Sequence, residues 1–541
     1  MNYKVLITII IFLLSSLLLT AQDSLYLYTV FHGENDQDQF GVVENVGDVN
    51  GDGFEDLIVG APAYITGAVS SGYAKLYFGG ADFDTLADMT FRDYENKKGF
   101  GYTIAGNGDL NGDGYSDFAI ANPYSGDFRT GKVNVYFGGP QLDTIPDLTL
   151  TLNPNEYFYT QFGFSMTMSG DINGDGYCDL VVGAPQDDWD RHGEVFIYFG
   201  GENMDTIPDV NLIYPNELER FGYSLTYLDD ANADSINDLL VGALPTESYE
   251  QAFIFWGSKN DNIGFQNSFT FQNGTYYPEI GRVVSNIGDI NNDGFSDLAL
   301  ASSDSVIICL SPLIDGSFEQ FYFSRTENLG SFYRLANGND LNNDGFDEVI
   351  ISCQNTSTMP GKVVILYGDS EVSLNKIKII EGDNLNPGFG KRITTLKKLF
   401  NENIISMVIG HVETESYDDH GTGKVFVYNN DLINSIEVGE SSGNITDFHI
   451  SQNYPNPFNP STTFNYQIPH QSMITIDLFD LLGREITNLY SGNKPSGSYS
   501  VKINSKDISL TSGVYFVRMR AVPLSKGQPV FQKTIKIVLT K

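Results

Sequence analysis

Six short stretches of this chain place side-chain oxygens at alternate positions of a tight, Gly-containing curve. The first runs Asp48-Val49-Asn50-Gly51-Asp52-Gly53-Phe54-Glu55-Asp56. Oxygens at its first, third and fifth positions would project inward, and Gly at the sixth would take the positive φ that turns the chain. The carbonyl of the seventh residue and the carboxylate of the ninth can then complete an oxygen cage. That chemistry suits a hard cation: Ca²⁺ is favoured over Zn²⁺, which wants His or Cys, while Mg²⁺ stays an alternative that tolerates crowded protein cages poorly. The candidate ligands of the first loop are therefore Asp48, Asn50, Asp52, Phe54 (by its carbonyl) and Asp56. Close copies supply Asp109, Asn111, Asp113, Tyr115 and Asp117; Asp171, Asn173, Asp175, Tyr177 and Asp179; and Asp289, Asn291, Asp293, Phe295 and Asp297. Two copies are looser. Asp230, Asn232, Asp234, Ile236 and Asp238 have Ser235 in place of the Gly, and Asp340, Asn342, Asp344, Phe346 and Glu348 end in Glu rather than Asp.

Asp, Asn and Gly also form plain turns, so one such stretch would say little. Six in phase with a longer repeat say more. Phe-Gly pairs recur about every sixty residues, at Phe40-Gly41, Phe100-Gly101, Phe162-Gly163, Phe221-Gly222 and Phe389-Gly390. Ile280-Gly281 is a weaker copy, and Ser331-Phe332 stands where another is expected. A period of this kind predicts a propeller or solenoid. Each loop runs into an apolar strand such as Leu57-Ile58-Val59, which ends at Gly60-Ala61-Pro62 in the first repeat. No helical periodicity flanks the loops, so they belong to β-hairpins and not to helical EF-hands.

Seven further strands, at 73–78, 132–137, 194–199, 252–256, 306–310, 362–367 and 424–428, give seven units. Six inter-repeat segments carry a fourth strand, for example at 147–152 and 269–272. The seventh repeat has none after Tyr428, but a strand at 24–31 precedes the first repeat and is predicted to complete the last unit, leaving no open edge. Lys397 and Lys398 stand where the seventh loop should be acidic. Either an ammonium takes the cation's place there or that loop is simply unmetallated; in both cases no Ca²⁺ is expected.

Phe-Gly, the Asp-x-Asn-x-Asp-Gly-x-x-Asp loop and Gly-Ala-Pro together resemble the FG-GAP repeats of integrin α-subunit propellers and related bacterial surface proteins, over about residues 24–430. The resemblance implies a seven-bladed β-propeller with Ca²⁺ sites, up to six here, in loops on one face.

Charge and chain ends narrow the setting. The 541 residues hold 69 Asp+Glu against 31 Lys+Arg, a net of −38, which excludes a nucleic-acid binder that must displace counterions from phosphate. Hydrophobic residues at 41% exclude a disordered polyanion. Residues 1–21 carry one early Lys, an apolar run and Thr20-Ala21, as a cleaved secretory signal would; a membrane anchor is the competing reading. Cys178, Cys309 and Cys353 form no paired framework, so disulfides are not expected to hold the fold.

After the repeats (22–436) a Gly/Ser-containing linker (437–448) leads to the arm Asn453-Tyr454-Pro455-Asn456-Pro457-Phe458-Asn459-Pro460. Alternating strands follow at 464–468, 474–479, 499–503, 514–519 and 534–539, predicting a small Ig-like β-sandwich over 449–541. With Leu481-Leu482-Gly483-Arg484, residues 512–516 and the ending 536–541, this tail resembles the type A C-terminal sorting domain of type IX secretion. That resemblance implies a Gram-negative bacterium, passage through the periplasm, recognition by the outer-membrane secretion machinery, and release or attachment at the cell surface. A sandwich that stays attached as an adhesion module is the alternative.

The fold class is thus all-β, a seven-bladed propeller followed by a small sandwich. Two functions compete: a Ca²⁺-stabilised module binding an extracellular glycan or protein, and a hydrolase or lyase built on the propeller. The binding module is favoured. The six His are scattered and no Gly-x-Ser-x-Gly elbow is present. Residues that break the repeat (Asp187, Asp188, Asp190, Arg191 and His192; Tyr417, Asp418, Asp419 and His420) are the candidates for a catalytic pair, against solvated loop. Three Asp-Thr-hydrophobic triplets, at Asp84, Asp143 and Asp205, follow the Phe-Gly-Gly strand ends; a shared turn explains them, and they also resemble a bacterial O-glycosylation acceptor.

Overall fold

The computed structural model describes residues 25–35, 37–63, 72–81, 83–94, 99–154, 157–186, 193–214, 219–245, 251–259, 262–272, 280–314, 317–326, 329–354, 360–382, 388–400, 404–412, 423–430, 448–450, 461–479, 481, 484–494, 497–504, 510–523 and 531–539. Two compact units divide at Ser435/Ile436.

In the first unit, strands fall into four-stranded antiparallel sheets in chain order. The first holds Val42–Gly47, Asp56–Ala61, Tyr73–Tyr77 and Met89–Arg92, joined neighbour to neighbour. Its second strand is buried along its whole length, as a Val- and Ile-rich run covered on both faces should be. Seven such sheets lie between residues 25 and 430. Their first strands are Val42–Gly47, Thr103–Gly108, Ser165–Gly170, Glu219–Leu228, Val283–Gly288, Ser331–Asn337 and Phe389–Leu396. Each of these packs on the next, and the seventh packs on the first, so the series closes on itself as a β-propeller.

The strand at Leu25–His32 pairs antiparallel with Lys424–Asn430, from Leu25 opposite Asn430 to His32 opposite Lys424. The N-terminal strand is therefore the outer strand of the seventh sheet, as its position before the first repeat predicted. Its one registry shift, between Leu27 and Thr29, leaves the pairing otherwise continuous.

The repeated glycines mark the joints between sheets. The Phe of each Phe-Gly pair is fully buried: Phe40, Phe100, Phe162 and Phe221 are 0% exposed and Phe389 1%, each stabilising a seam by about 1.5–3 kcal/mol. The Gly that opens Gly-Ala-Pro faces the Phe-Gly glycine of the following repeat. A Cβ on Gly60 would stand 2.2 Å from the Gly101 carbonyl oxygen, and one on Gly183 2.3 Å from that of Gly222. Gly410 meets Gly41 across the closing seam in the same way, at 1.9 Å. Only a bare Cα fits there.

In the sixth repeat the Phe-Gly position is filled by Phe332-Tyr333. Phe332 pairs with Cys353 as Phe389 pairs with His411, so Tyr333, not a glycine, follows the buried aromatic. All three cysteines are free thiols. The Asp-Thr triplets do form a shared turn: the amides of Leu86, Ile145 and Ile207 each donate to the Asp carboxylate two residues earlier at 2.7 Å, and these three apolar side chains are 70–75% exposed.

The second unit has a three-stranded sheet (His449–Ile450, Ser461–Ile468, Gly497–Asn504) and a four-stranded one (Glu485–Lys494, Ser472–Phe479, Gly513–Pro523, Phe531–Leu539). Inward residues of both, among them Phe464, Ile476, Val517 and Ile537, form one core. The five strands expected from the sequence are present. The two-residue His449–Ile450 and Glu485–Lys494 are additional; the registry of the latter shifts twice against Ser472–Phe479, which erases the alternation that would have marked it. The signal segment, the linker over 437–447, the Pro-rich arm and the repeat-breaking residues Asp187–His192 and Tyr417–His420 lie outside the described residues. Among the described residues no helix is long and apolar enough to cross a membrane.

Two outcomes follow from closure. Deleting residues 24–32 exposes the edge of Lys424–Asn430 and should make the first unit unfold at a markedly lower temperature in a thermal melt; an unchanged melting temperature contradicts closure by this strand. Replacing Gly410 by Ala should cost about 1–3 kcal/mol in urea denaturation, because the methyl group must displace the Gly41 backbone.

Candidate metal centres

Each Asp-rich loop joins the first strand of its sheet to the second. In the first loop Asp48 turns its carboxylate inward: Oδ1 accepts from the amides of Gly51 (2.7 Å) and Asp52 (3.0 Å), and Oδ2 from that of Gly53 (2.8 Å). Asn50 Oδ1 accepts from the Asp52 amide at 2.9 Å, and Asp52 Oδ1 from that of Phe54 at 3.0 Å. The Asn50 side-chain amide donates to Asp52 Oδ2 at 3.0 Å, so the first-, third- and fifth-position oxygens gather inside one turn.

The same set recurs on Asp109, Asn111 and Asp113 and on Asp171, Asn173 and Asp175. The bonds from the fifth- and sixth-position amides recur on Asp230, Asn232 and Asp234, on Asp289, Asn291 and Asp293, and on Asp340, Asn342 and Asp344. The sixth-position glycines have φ of +90° to +99°. Ser235 takes φ +67° in the fourth loop, so that loop keeps its shape at the strain cost of a non-glycine residue. Position four is also left-handed, and is filled by Gly51, Gly112, Gly174, Ala233, Asn292 and Asn343. The mixed residue types hid that requirement from the sequence.

The ninth-position acid does two things. Asp56 is fully buried and accepts from the Val49 amide (2.9 Å) within its loop and from the Gly79 amide (2.7 Å) at the end of the third strand. Asp117, Asp179 and Asp238 repeat this with Gly138, Gly200 and Gly257, and Asp297 with Ser311. Burial pushes the carboxyls of Asp56, Asp117, Asp179 and Asp238 up to about 7 and that of Asp297 to about 8. The two backbone donors oppose the rise, and the neighbouring loop acids add to it. Glu348, one methylene longer, accepts from Leu341 and lies with Asp340 and Asp344 so that their oxygens fall within 4.8 Å of one another. Among the described residues this is the one group of three acids that already stands close enough to hold a cation.

Position eight was not anticipated from sequence. Its amide donates to the first-position carbonyl of the preceding loop: Ser116 to Asp48, Cys178 to Asp109 and Asp347 to Asp289, at 3.0–3.1 Å. The second glycine of Phe-Gly-Gly donates to the second-position carbonyl, Gly139 to Val49 and Gly201 to Leu110, both at 2.7 Å. Neighbouring loops are thus hooked together through their backbones. The signal was hard to find because the eighth residues are Glu55, Ser116, Cys178, Asn237, Ser296 and Asp347, with no shared side-chain chemistry.

The seventh loop keeps the hooks without the Asp/Asn/Asp pattern. Glu55 and Gly80 of the first repeat donate from their amides to the carbonyls of Lys398 (3.2 Å) and Leu399 (2.8 Å). In return Glu55 Oε2 accepts from the amides of Lys397 and Lys398. The charge of Lys397 acts on Asp347 of the sixth repeat.

Comparison with known proteins agrees with this geometry. The FG-GAP repeat model matches residues 40–77, 100–137 and 162–199, and the model of a secretion system C-terminal sorting domain matches residues 452–535. Integrin alpha-8 of Mus musculus is 35% identical over 161 residues, 28% of this chain and 15% of that protein. Integrin alpha-5 of Xenopus laevis is 33% identical over 177 residues, and integrin alpha-PS2 of Drosophila melanogaster 33% over 251, the latter 43% of this chain. The chain spans about 15–17% of the length of these relatives. A fungal alcohol oxidase of the AA5 family, in complex with copper, superposes on 94% of this chain with a TM-score of 0.40 and 10% identity, a likeness that carries no argument. The chain carries three FG-GAP repeats homologous to those of integrin alpha subunits, together with a secretion system C-terminal sorting domain.

Proposed function

We propose that the protein is a Ca²⁺-stabilised, seven-bladed propeller that works outside the cell as a binding module for glycan or protein, delivered there by type IX secretion. The observation that carries this is the recurrence of one inward-turned Asp/Asn/Asp loop in six successive repeats of an integrin-like propeller, joined to a sorting tail.

The residues fit a hard cation. All donors in each loop are oxygens: the side chains at positions one, three, five and nine and the carbonyl at seven, with the Asp340/Asp344/Glu348 group already convergent. The cation would supply positive charge at the point where the carboxylates crowd; the loop backbone would hold the ligands ready and the ninth-position acid would tie the site to its strand. In the seventh repeat the Lys398 and Leu399 carbonyls hold the seam without the Asp/Asn/Asp pattern, so no cation is assigned there. The tail would engage the secretion machinery, and the mature protein would be released or held at the outer surface of a Gram-negative cell. Its function is binding rather than turnover.

A glycan and surface-protein binding screen on the purified chain tests the module; turnover of a polysaccharide by the same preparation would replace it with the enzyme reading. Calcium is tested by stability. With extracellular-type Kd values of about 10⁻⁴–10⁻³ M, about 10 mM Ca²⁺ should add roughly 1.4–2.7 kcal/mol per site, seen as a higher melting temperature that a chelator reverses. Replacing Asp344 by Asn should lower the calorimetric stoichiometry by one site; an unchanged stoichiometry puts the cation elsewhere.

The sign of the pH dependence is also set. Without cation, the five ninth-position Asp carboxyls titrate at about 7–8 in the fold against about 3.9 unfolded, so the folded state binds more protons between those values. Stability of the cation-free protein should fall as pH rises through this window. Protons compete with Ca²⁺ for the same oxygens, so the calcium-induced rise in melting temperature should be larger at pH 8 than at pH 5.5.

A further inference from the structure

The seven first strands enclose a cavity of about 600 Å³ along the middle of the propeller, lined by residues from every sheet. That volume is in the range of ligand sites for small organic molecules. The two halves of its rim, at the end where the strands begin, differ in chemistry. On one side the residues that follow successive Phe-Gly pairs are Tyr102, Phe164 and Tyr223, whose rings form an arc with centroid separations of 5.7 and 5.0 Å. On the other, the sixth and seventh sheets bring Arg334 and Arg392 to the lining, and Arg282 and Lys391 stand with them around Tyr333. Four of the chain's 31 cationic side chains gather there in a protein of net charge −38.

Two of these cations stand beside a tyrosine ring. The guanidinium of Arg334 stands 5.4 Å from the centroid of Tyr333 and that of Arg282 5.9 Å from it. Arg334 Nε is enclosed with no hydrogen-bond partner. Among the described residues none of Arg334, Lys391 and Arg392 stands in an ion pair. The acid that faces Arg392 is Glu44, whose carboxyl burial pushes up while the Arg392 charge opposes the rise. Burial, then the charge of Arg392, pushes Arg334 down to about 10; Tyr333, although burial works the other way, is drawn below its ordinary value by Arg334, Arg392, Lys391 and Arg282.

Like charges kept together in a partly desolvated cavity are costly unless an anion joins them. Two guanidinium forks suit a carboxylate, which each can meet with parallel N–H donors. A small inorganic anion would leave the aromatic arc unused, and a neutral sugar would leave the cations unpaired. We propose that this rim binds an acidic saccharide, Arg334 and Arg392 gripping a uronate carboxylate while Tyr102, Phe164 and Tyr223 lie against the sugar faces. The proposal rests on the reading of the propeller as a binding module and names its ligand class.

The test is calorimetric titration of the full chain, in Ca²⁺, with tri-galacturonate, its methyl ester and a galactose trisaccharide. The acid form should bind, the ester and the neutral sugar at least tenfold more weakly, and added salt should weaken the acid form alone. Arg334→Gln and Arg392→Gln should each reduce affinity about tenfold or more, and Arg334→Lys should restore only part of it; a melt in Ca²⁺ confirms that each variant folds. If one variant fails to fold, the other and Tyr223→Ala carry the test. Equal affinity for acid and ester, or unchanged affinity in both Gln variants, overturns the proposal. Binding of a neutral glycan, or of an acidic peptide in preference to the saccharide, overturns it too while leaving the binding module standing. Absence of any glycan or protein ligand removes both.

Discussion

The propeller depends on one repeated backbone exchange. Carbonyls at the first or second position of a loop accept amides from the next repeat, and the glycine that precedes the donor to the second carbonyl has no room for a side chain: a Cβ on Gly138, next to the donor Gly139, would lie 2.3 Å from the Ser116 carbonyl oxygen and 2.9 Å from that of Val49. Backbone groups buried at a seam must find partners, and here the partner always belongs to the neighbouring repeat. Closure therefore needs every seam, including the last. The seventh loop lacks the Asp/Asn/Asp pattern, yet the Lys398 and Leu399 carbonyls receive the first repeat just as Asp48 and Val49 receive the second. Joining the blades and gathering the acids are separable properties of the loop.

The ninth-position Asp is where the two properties meet. It spends one oxygen on its own loop and the other on the end of its third strand, so it organises the hairpin before any cation is considered. A buried carboxylate with two backbone donors and two acidic neighbours is only partly compensated, which is why its proton is held to about 7. Extra positive charge is what the arrangement lacks. The longer Glu348 sharpens this need, since it reaches into the loop toward Asp340 and Asp344.

Much of this was legible in the sequence because it rests on rigid requirements. Phe-Gly, Gly-Ala-Pro and the sixth-position Gly mark places where only one residue type avoids a clash or an unfavourable φ, and the closing role of the N-terminal strand follows from counting strands. What stayed hidden is carried by backbone atoms that any residue supplies. The eighth position donates an amide whether it is Ser116, Cys178 or Asp347, and the fourth tolerates Ala233 or Asn292 at positive φ. Tyr333 in the glycine position of the sixth repeat, and the twice-shifted strand at Glu485–Lys494, break the patterns by which the neighbouring elements were recognised.

The net charge of −38 also takes on a direction. Every first strand begins near the central cavity and, in six repeats, ends in an acidic loop, so in the fifth and sixth repeats one strand runs from a cationic residue, Arg282 or Arg334, to an acidic loop. The strand Thr103–Gly108 has six residues, and at about 3.3 Å each it separates its ends by roughly 20 Å. The Debye length in physiological salt is about 8 Å, so charges at the two ends are largely screened from one another wherever solvent reaches them. An acidic ligand can approach the Arg334 side without paying the full repulsion of the loops, and a cation held in a loop does not weaken the rim. The seventh repeat is the exception that fits this division: Lys391 and Arg392 open its first strand, Lys397 and Lys398 close it, and it is the strand on which neither end is acidic.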